Sequence, residues 1–366
     1  MHIVADVIYV MVGAAVVLVV FDSALRTFVL PRGVITVLSR IVFVQARHVF
    51  DLFAREGRTY AARDRVMALY GPVSLFGLVF VWMAMVIFGF TCIYRGALDV
   101  SSWTRAFELS GSAFFTLGFA SVTTGVPSYV LVFIEAATGL GLLTLLIAYL
   151  PTIYGAFSRR ELAVSKLATR AGTPPSAVEL LQRYHAINWI ADLPVLWADW
   201  EDWFTDVAET HTSLSVLVFF RSPNPDRSWI TAAGALLDAA SLAQSTLSIP
   251  QSPQAGLCIR AGTLALREIA DFYRIPYDPD PPPDGPISIA RSEFDEAYQS
   301  LGGAGVAVRP DRERCWRNFA GWRVNYDSVL VGLAGVTMAP YAPWSSDRSL
   351  RHRPRVVRRR PRATPR

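Results

Sequence analysis

The sequence predicts an all-α membrane protein: three transmembrane helices, a short re-entrant helix between the second and third, and an α-helical soluble domain behind them. Three observations carry this. The chain is 52% hydrophobic over 366 residues, above the usual soluble share. The apolar excess is concentrated before Phe157, and charges and prolines return beyond it. Finally, residues 107–115 (FELSGSAFF) form an apolar segment too short to cross a bilayer, which takes about 20 residues. They stand between two stretches that are long enough, 73–94 and 128–157.

The first element, residues 7–21 (VIYVMVGAAVVLVVF), has no basic run before it and no small-residue cleavage site after it. It therefore reads as a first span rather than a removed signal, extending past Asp22 and Arg26 at the interface and ending at Pro31-Arg32-Gly33. Residues 34–46 are apolar but short and contain Arg40, which suits an amphipathic helix lying at the interface. Arg26, Arg32, Arg40, Arg47, Arg55, Arg58, Arg63 and Arg65 crowd the region before Gly71. Such a cluster marks the cytoplasmic side, so the N-terminus is expected outside and the C-terminal domain inside. The second span then runs outward, 107–127 re-enters from outside, and the third returns to Ser158-Arg159-Arg160-Glu161.

Non-helical backbone between two spans cannot face lipid, because its N–H and C=O groups would lack partners; it must be buried in protein or line water. The backbone in question is Thr116-Leu117-Gly118-Phe119-Ala120. Preceded by a short helix and followed by a span, it resembles the pore domain of potassium channels, whose filter reads Thr-Val-Gly-Tyr-Gly and whose carbonyls replace the ion's water shell. Thr116, Gly118 and Phe119 match the threonine, first glycine and aromatic. Ala120 stands where the family has its second glycine, and Ser121 where aspartate is frequent. An alanine forced to positive φ would be strained, which puts potassium selectivity in question. The resemblance covers 73–157, under a quarter of the chain. The competing reading of 107–127 is an external hairpin resting on the membrane.

By this resemblance the third span lines the inner pore, with Gly139, Gly141 and Pro151 as candidate gating hinges. Small residues that merely permit close helix packing are the alternative for the glycines. Glu135, an ionisable residue inside a span, should face protein or water and could brace the filter from behind. The resemblance further implies a homo-oligomer, by analogy a tetramer, with potassium as the permeant ion and no cofactor. The function expected is passive cation conduction. The alternative is a non-conducting membrane sensor or scaffold that retains a degenerate pore fold.

The domains expected are 1–33 (first span), 34–72 (interfacial segment), 73–157 (pore), 158–345 (cytoplasmic helices) and 346–366 (basic tail). Helical periodicity is clearest at 174–190, 195–209, 228–247, 256–273, 290–301 and 311–334, with Asp311 as N-cap of the last. Residues 276–286 (PYDPDPPPDGP) read as a stiff linker. Trp197, Trp200, Trp203 and Phe204 interleave with Asp199, Asp202, Asp206 and Glu209, the pattern of a solvated stripe opposite an aromatic core; a divalent-cation sensor completed by His211 is the alternative. His185 reads as an ordinary core or surface histidine. No nucleophile–base pair stands out, so no enzyme is expected.

The net charge of +5 resides in the tail. Nine arginines and no acid lie between positions 348 and 366, leaving −4 for the remainder (the net +5 less nine). That tail suits anionic lipid headgroups rather than nucleic acid. Lys166 is the single lysine, a coding bias that points to a GC-rich bacterial genome and hence a bacterial inner membrane. Cys92, Cys258 and Cys315 form neither a disulfide framework nor a zinc spacing.

Overall fold

The computed structural model describes residues 2–28, 36–54, 59–98, 100, 102–120 and 125–348. The turn expected at 31–33, Arg32, Arg55, Arg58, Ser121 and the tail beyond Arg348 lie outside the described residues. Among those described the chain is helical, and the isolated bridge between Leu247 and Val308 is the single strand-like pairing. Three helical runs are long and apolar enough to cross a membrane. The chain divides into two compact units, Met1–Glu161 with Glu209–Arg221, and Leu162–Ala208 with Ser222–Arg366.

In the first unit, α1 (His2–Phe28) extends well beyond the expected core of the span. Its two charges cause no break, because Asp22 and Arg26 pair one turn apart at 2.7 Å. Helix α1 lies along α4 (Tyr70–Ala97), and a Cβ on Gly13 would stand 2.3 Å from Gly89 O, so only glycine permits this approach. Deeper along the pair, Trp82 is fully buried and donates from Nε1 to Ser23 Oγ at 3.1 Å. A helix, α2 (Val37–Phe53), covers most of the segment expected at 34–46 and runs beyond it, with Thr36 as N-cap accepting from Ser39 N at 3.2 Å. Helix α3 (Tyr60–Ala68) leads through Leu69 directly into α4.

Helix α6 (Val126–Ala171) is continuous over 46 residues and passes through Pro151. At its distal part Arg160 is 1% exposed, where the sequence suggested only a topological charge. Its guanidinium donates to Leu217 O at 2.8 Å, Phe220 O at 2.7 Å and Glu161 Oε1 at 2.8 and 3.0 Å. His211 Nε2 lies 3.1 Å from Nη1; since a guanidinium only donates, this nitrogen is the acceptor. The 3₁₀ segment Ser215–Phe219 is thereby fastened to α6, and Val216 and Leu217 pack with Leu75, Tyr149 and Ile153. Arg221 pairs with Asp64, each about one-tenth exposed. Residues 209–221 thus group with the first unit, although the sequence placed them in the soluble domain.

The second unit contains α7 (Ala177–Ala186), most of α8 (Leu193–Ser213), α9 (Trp229–Thr246), α10 (Pro253–Tyr273), α11 (Arg291–Gly303), α12 (Arg312–Arg323) and α13 (Asp327–Thr337). Nearly every residue of α9 is buried, which makes it the central helix. Trp197, Trp200, Trp203 and Phe204 face the core, while Asp199, Asp202 and Glu209 are exposed and Asp206 is half-buried. Asp311 caps α12, accepting from Arg314 N at 2.9 Å.

The single helix expected over 311–334 is two. At Asn325 the side chain amide donates to Gly321 O at 2.9 Å, and Arg267 donates to Asn325 O at 2.9 Å, so the carbonyls of the break are satisfied without a continuing helix. Across it, Arg323 is fully buried between Asp238 and Asp327 and also donates to Trp344 O at 2.6 Å. Burial works against the Arg323 charge, but the two carboxylates outweigh it and raise its pKa. For Asp238, burial is the larger influence and pushes the carboxyl above the ordinary aspartate range, against the pull of Arg323.

Candidate functional site

The short helix expected at 107–115 is α5 (Trp103–Phe114). Ser102 caps it, accepting from Arg105 N at 3.1 Å. One face, with Ala106, Leu109, Ser110, Ala113 and Phe114, is buried, while Trp103 and Phe107 are exposed. Trp103 meets Tyr9 edge-on at 5.2 Å, which sets the level of the helix start against α1. Farther along α5, Ser110 Oγ lies 3.0 Å from Ile87 O of α4 and 2.5 Å from Glu135 Oε1 of α6. Glu135 is fully buried. This one hydroxyl therefore ties α5 to both neighbouring helices.

The end of α5 rests on α6 at Gly139, where an added Cβ would stand 2.3 Å from Phe114 O. Gly139 lies about 20 Å along α6 from its first residue, at 1.5 Å per residue. Nothing lies within 4 Å of a Cβ on Gly141. The two candidate hinge glycines thus differ: the first is a contact point, the second is open. Gly139→Ala is expected to displace Phe114 and cost about 1–3 kcal/mol, as overpacking does. Gly141→Ala should leave stability within about 0.5 kcal/mol or raise it. Thermal unfolding of the two variants in detergent reads the difference.

Beyond Phe114 the chain closes with Thr116 N donating to Ala113 O at 3.0 Å and Leu117 N to Ser112 O at 2.8 Å. This is a Schellman-type helix end, which demands a left-handed residue at the position Thr116 occupies. Its φ is +55°, and that of Gly118 is +71°. Ala120 does not share this conformation, which corrects the expectation of strain there. Instead its N–H donates to Ser112 Oγ at 3.2 Å, turning the loop back towards α5. The strain sits at Thr116, a β-branched residue for which left-handed backbone is an outlier costing on the order of 1 kcal/mol or more. Thr116→Gly should accordingly raise the unfolding temperature while altering any function that the threonine hydroxyl serves.

Residues Phe115–Phe119 are exposed on the single chain: Leu117 is 62% exposed and Phe119 66%, with no regular structure from Leu117 to Phe119. The structure brings Thr116–Ala120, Glu135 and Gly139 around the end of α5. Gly141 and Pro151 lie farther along α6, away from that junction. The sequence reading missed Ser110 and Ser112, whose hydroxyls tie α5 to its neighbours and to the loop. They stand two apart between the apolar residues Leu109, Ala113 and Phe114, and that pattern could have singled them out. Among the described residues no group of three or more His, Cys, Asp or Glu side chains is arranged to hold a metal ion.

Comparison with family models, with curated proteins and with solved structures found no match.

Proposed function

We propose that the chain is one subunit of an oligomeric membrane channel that passes monovalent cations, potassium foremost, along the backbone of Thr116–Ala120. The observation that carries this reading is the exposed, non-helical backbone of Phe115–Phe119 at the end of a short helix that packs between two membrane-length helices. At that depth lipid offers its N–H and C=O groups no partners, whereas ions, water and neighbouring subunits do. One such loop cannot surround an ion. The resemblance to potassium channels supplies four subunits about a common axis and a re-entrant course for α5. Glu135 and Ser110 hold the loop from behind, and α6 lines the exit.

The reading is tested by potassium flux in liposomes containing the purified protein. Flux at the level of empty liposomes would favour the alternative, a non-conducting sensor or scaffold, for which the Ser112-bound Ala120 is the supporting feature. The proposed localisation is a bacterial inner membrane with the N-terminus outside. Membrane-impermeant thiol labelling of intact cells should then modify Ser102→Cys and spare Lys166→Cys, against a background of native cysteines that are all buried. Equal labelling of both from outside would overturn the assigned topology.

A further inference from the structure

Two buried polar atoms in the membrane part belong to neighbouring side chains and are left without partners. Glu135 of α6 and Tyr94 of α4 are both fully buried. Neither Glu135 Oε2 nor the Tyr94 hydroxyl has a hydrogen-bond partner among the described residues, although the two side chains stand side by side. Each such orphan is costly, the more so where lipid rather than water surrounds the protein.

What each lacks, the other has. The neighbouring threonine hydroxyls are already committed: Thr91 donates to Ile87 O at 2.7 Å and Thr138 to Ile134 O at 2.8 Å. Ser110 Oγ carries one proton and lies against two acceptors, Ile87 O at 3.0 Å and Glu135 Oε1 at 2.5 Å. Since Ile87 O is served by Thr91, the serine proton belongs to Glu135 Oε1. Oε2 is then left without a donor, and the Tyr94 hydroxyl beside it is a donor without an acceptor. Ile87 and Tyr94 stand two turns apart along one face of α4, so the groups that reach Ser110 and Glu135 leave that helix in the same direction.

We infer that Tyr94 is a positioning residue for the Thr116–Ala120 loop, its hydroxyl donating to Glu135 Oε2 and closing a clasp of α4, α5 and α6. With both oxygens held, the Glu135 carboxyl group keeps the orientation in which Ser110 meets it. Ser110 is followed within the same turn by Ser112, whose carbonyl accepts from Leu117 N at 2.8 Å and whose hydroxyl accepts from Ala120 N at 3.2 Å. Holding Ser110 in place thus fixes the two bonds that set the course of the loop. The inference deepens the conduction reading and rests on it for the consequence for ions; the clasp itself is measured without them.

The experiment is hydrogen exchange of the full chain in detergent, followed by mass spectrometry. Tyr94→Phe removes the hydroxyl alone and leaves the ring beside Phe90, at 6.0 Å between centroids. Exchange in the segment 110–120 should rise about 2- to 10-fold, the change that loss of one hydrogen bond allows, with the second unit unaffected. Glu135→Met, close to glutamate in volume but without a carboxyl acceptor, should do the same. Adding Tyr94→Phe to it should change nothing further, whereas a tyrosine that only fills space would act additively. In liposomes, Tyr94→Phe should keep potassium flux but lower its ratio to sodium flux. Wild-type exchange in Tyr94→Phe overturns the proposal, as do additive effects of the two substitutions or an unchanged ion ratio in a conducting protein. Wild-type liposomes that pass no potassium would sink the conduction reading alone, because the exchange experiment involves no ion flux.

Discussion

Gly118→Val is expected to abolish potassium flux in liposomes while leaving the protein folded and assembled. Gly118 has φ +71°, a conformation that a β-branched residue strongly resists. Nothing lies within 4 Å of a Cβ placed there, so valine meets no steric obstacle inside the chain itself. The whole effect then falls on the backbone direction of residues 117–119, whose carbonyls would coordinate the ion. Because the proposed assembly repeats the loop around one axis, each subunit contributes the same distortion. Unchanged flux in a variant that elutes as wild type would remove these residues from the conduction path.

Arg323→Met should destabilise the second unit by about 3–5 kcal/mol, the usual result of removing one partner from a buried ion network. Methionine approximates the volume of the arginine stem but leaves Asp238 and Asp327 facing each other without their common counter-charge. It also strands Trp344 O. Adding Asp238→Asn to Arg323→Met should recover part of the loss, because one uncompensated charge is then removed. Thermal unfolding of the three proteins measures this. If Arg323→Met alone unfolds like wild type, the network is not a stabilising element of the core.

The three membrane-length helices could be read from composition and spacing, because span length is a local property of the sequence. The short helix before Thr116-Leu117-Gly118-Phe119 was legible for the same reason, as was the solvated face of α8. What could not be read came from contacts between distant segments. Ser110 and Glu135 are 25 positions apart and meet only because α5 packs between α4 and α6. Arg160 sits beside other charges at the end of a span, and nothing local distinguishes a snorkelling arginine from one capped by Leu217 and Phe220 carbonyls. The strain assigned to Ala120 fell on Thr116 because helix closure, rather than likeness to a filter motif, determines which residue turns left-handed. The long apolar periodicity of 311–334 concealed a break, since Asn325 reads as an ordinary helical residue until its amide is seen bonded to Gly321 O.

The allocation of Glu209–Arg221 to the first unit has a practical consequence for anyone dissecting this protein. A fragment begun at Leu162 to isolate the C-terminal helices would take the segment Ser215–Phe219 with it and leave Arg160 behind. Val216 and Leu217, buried in the intact chain, would be cut off from Leu75, Tyr149 and Ile153. That would leave an uncovered apolar patch of the kind that drives self-association. The truncated N-terminal half would in turn lose three partners of its buried Arg160 guanidinium, Leu217 O, Phe220 O and His211, and keep Glu161. A single cut therefore damages both pieces, and a soluble fragment needs residues 209–221 replaced by a short polar link between Ala208 and Ser222.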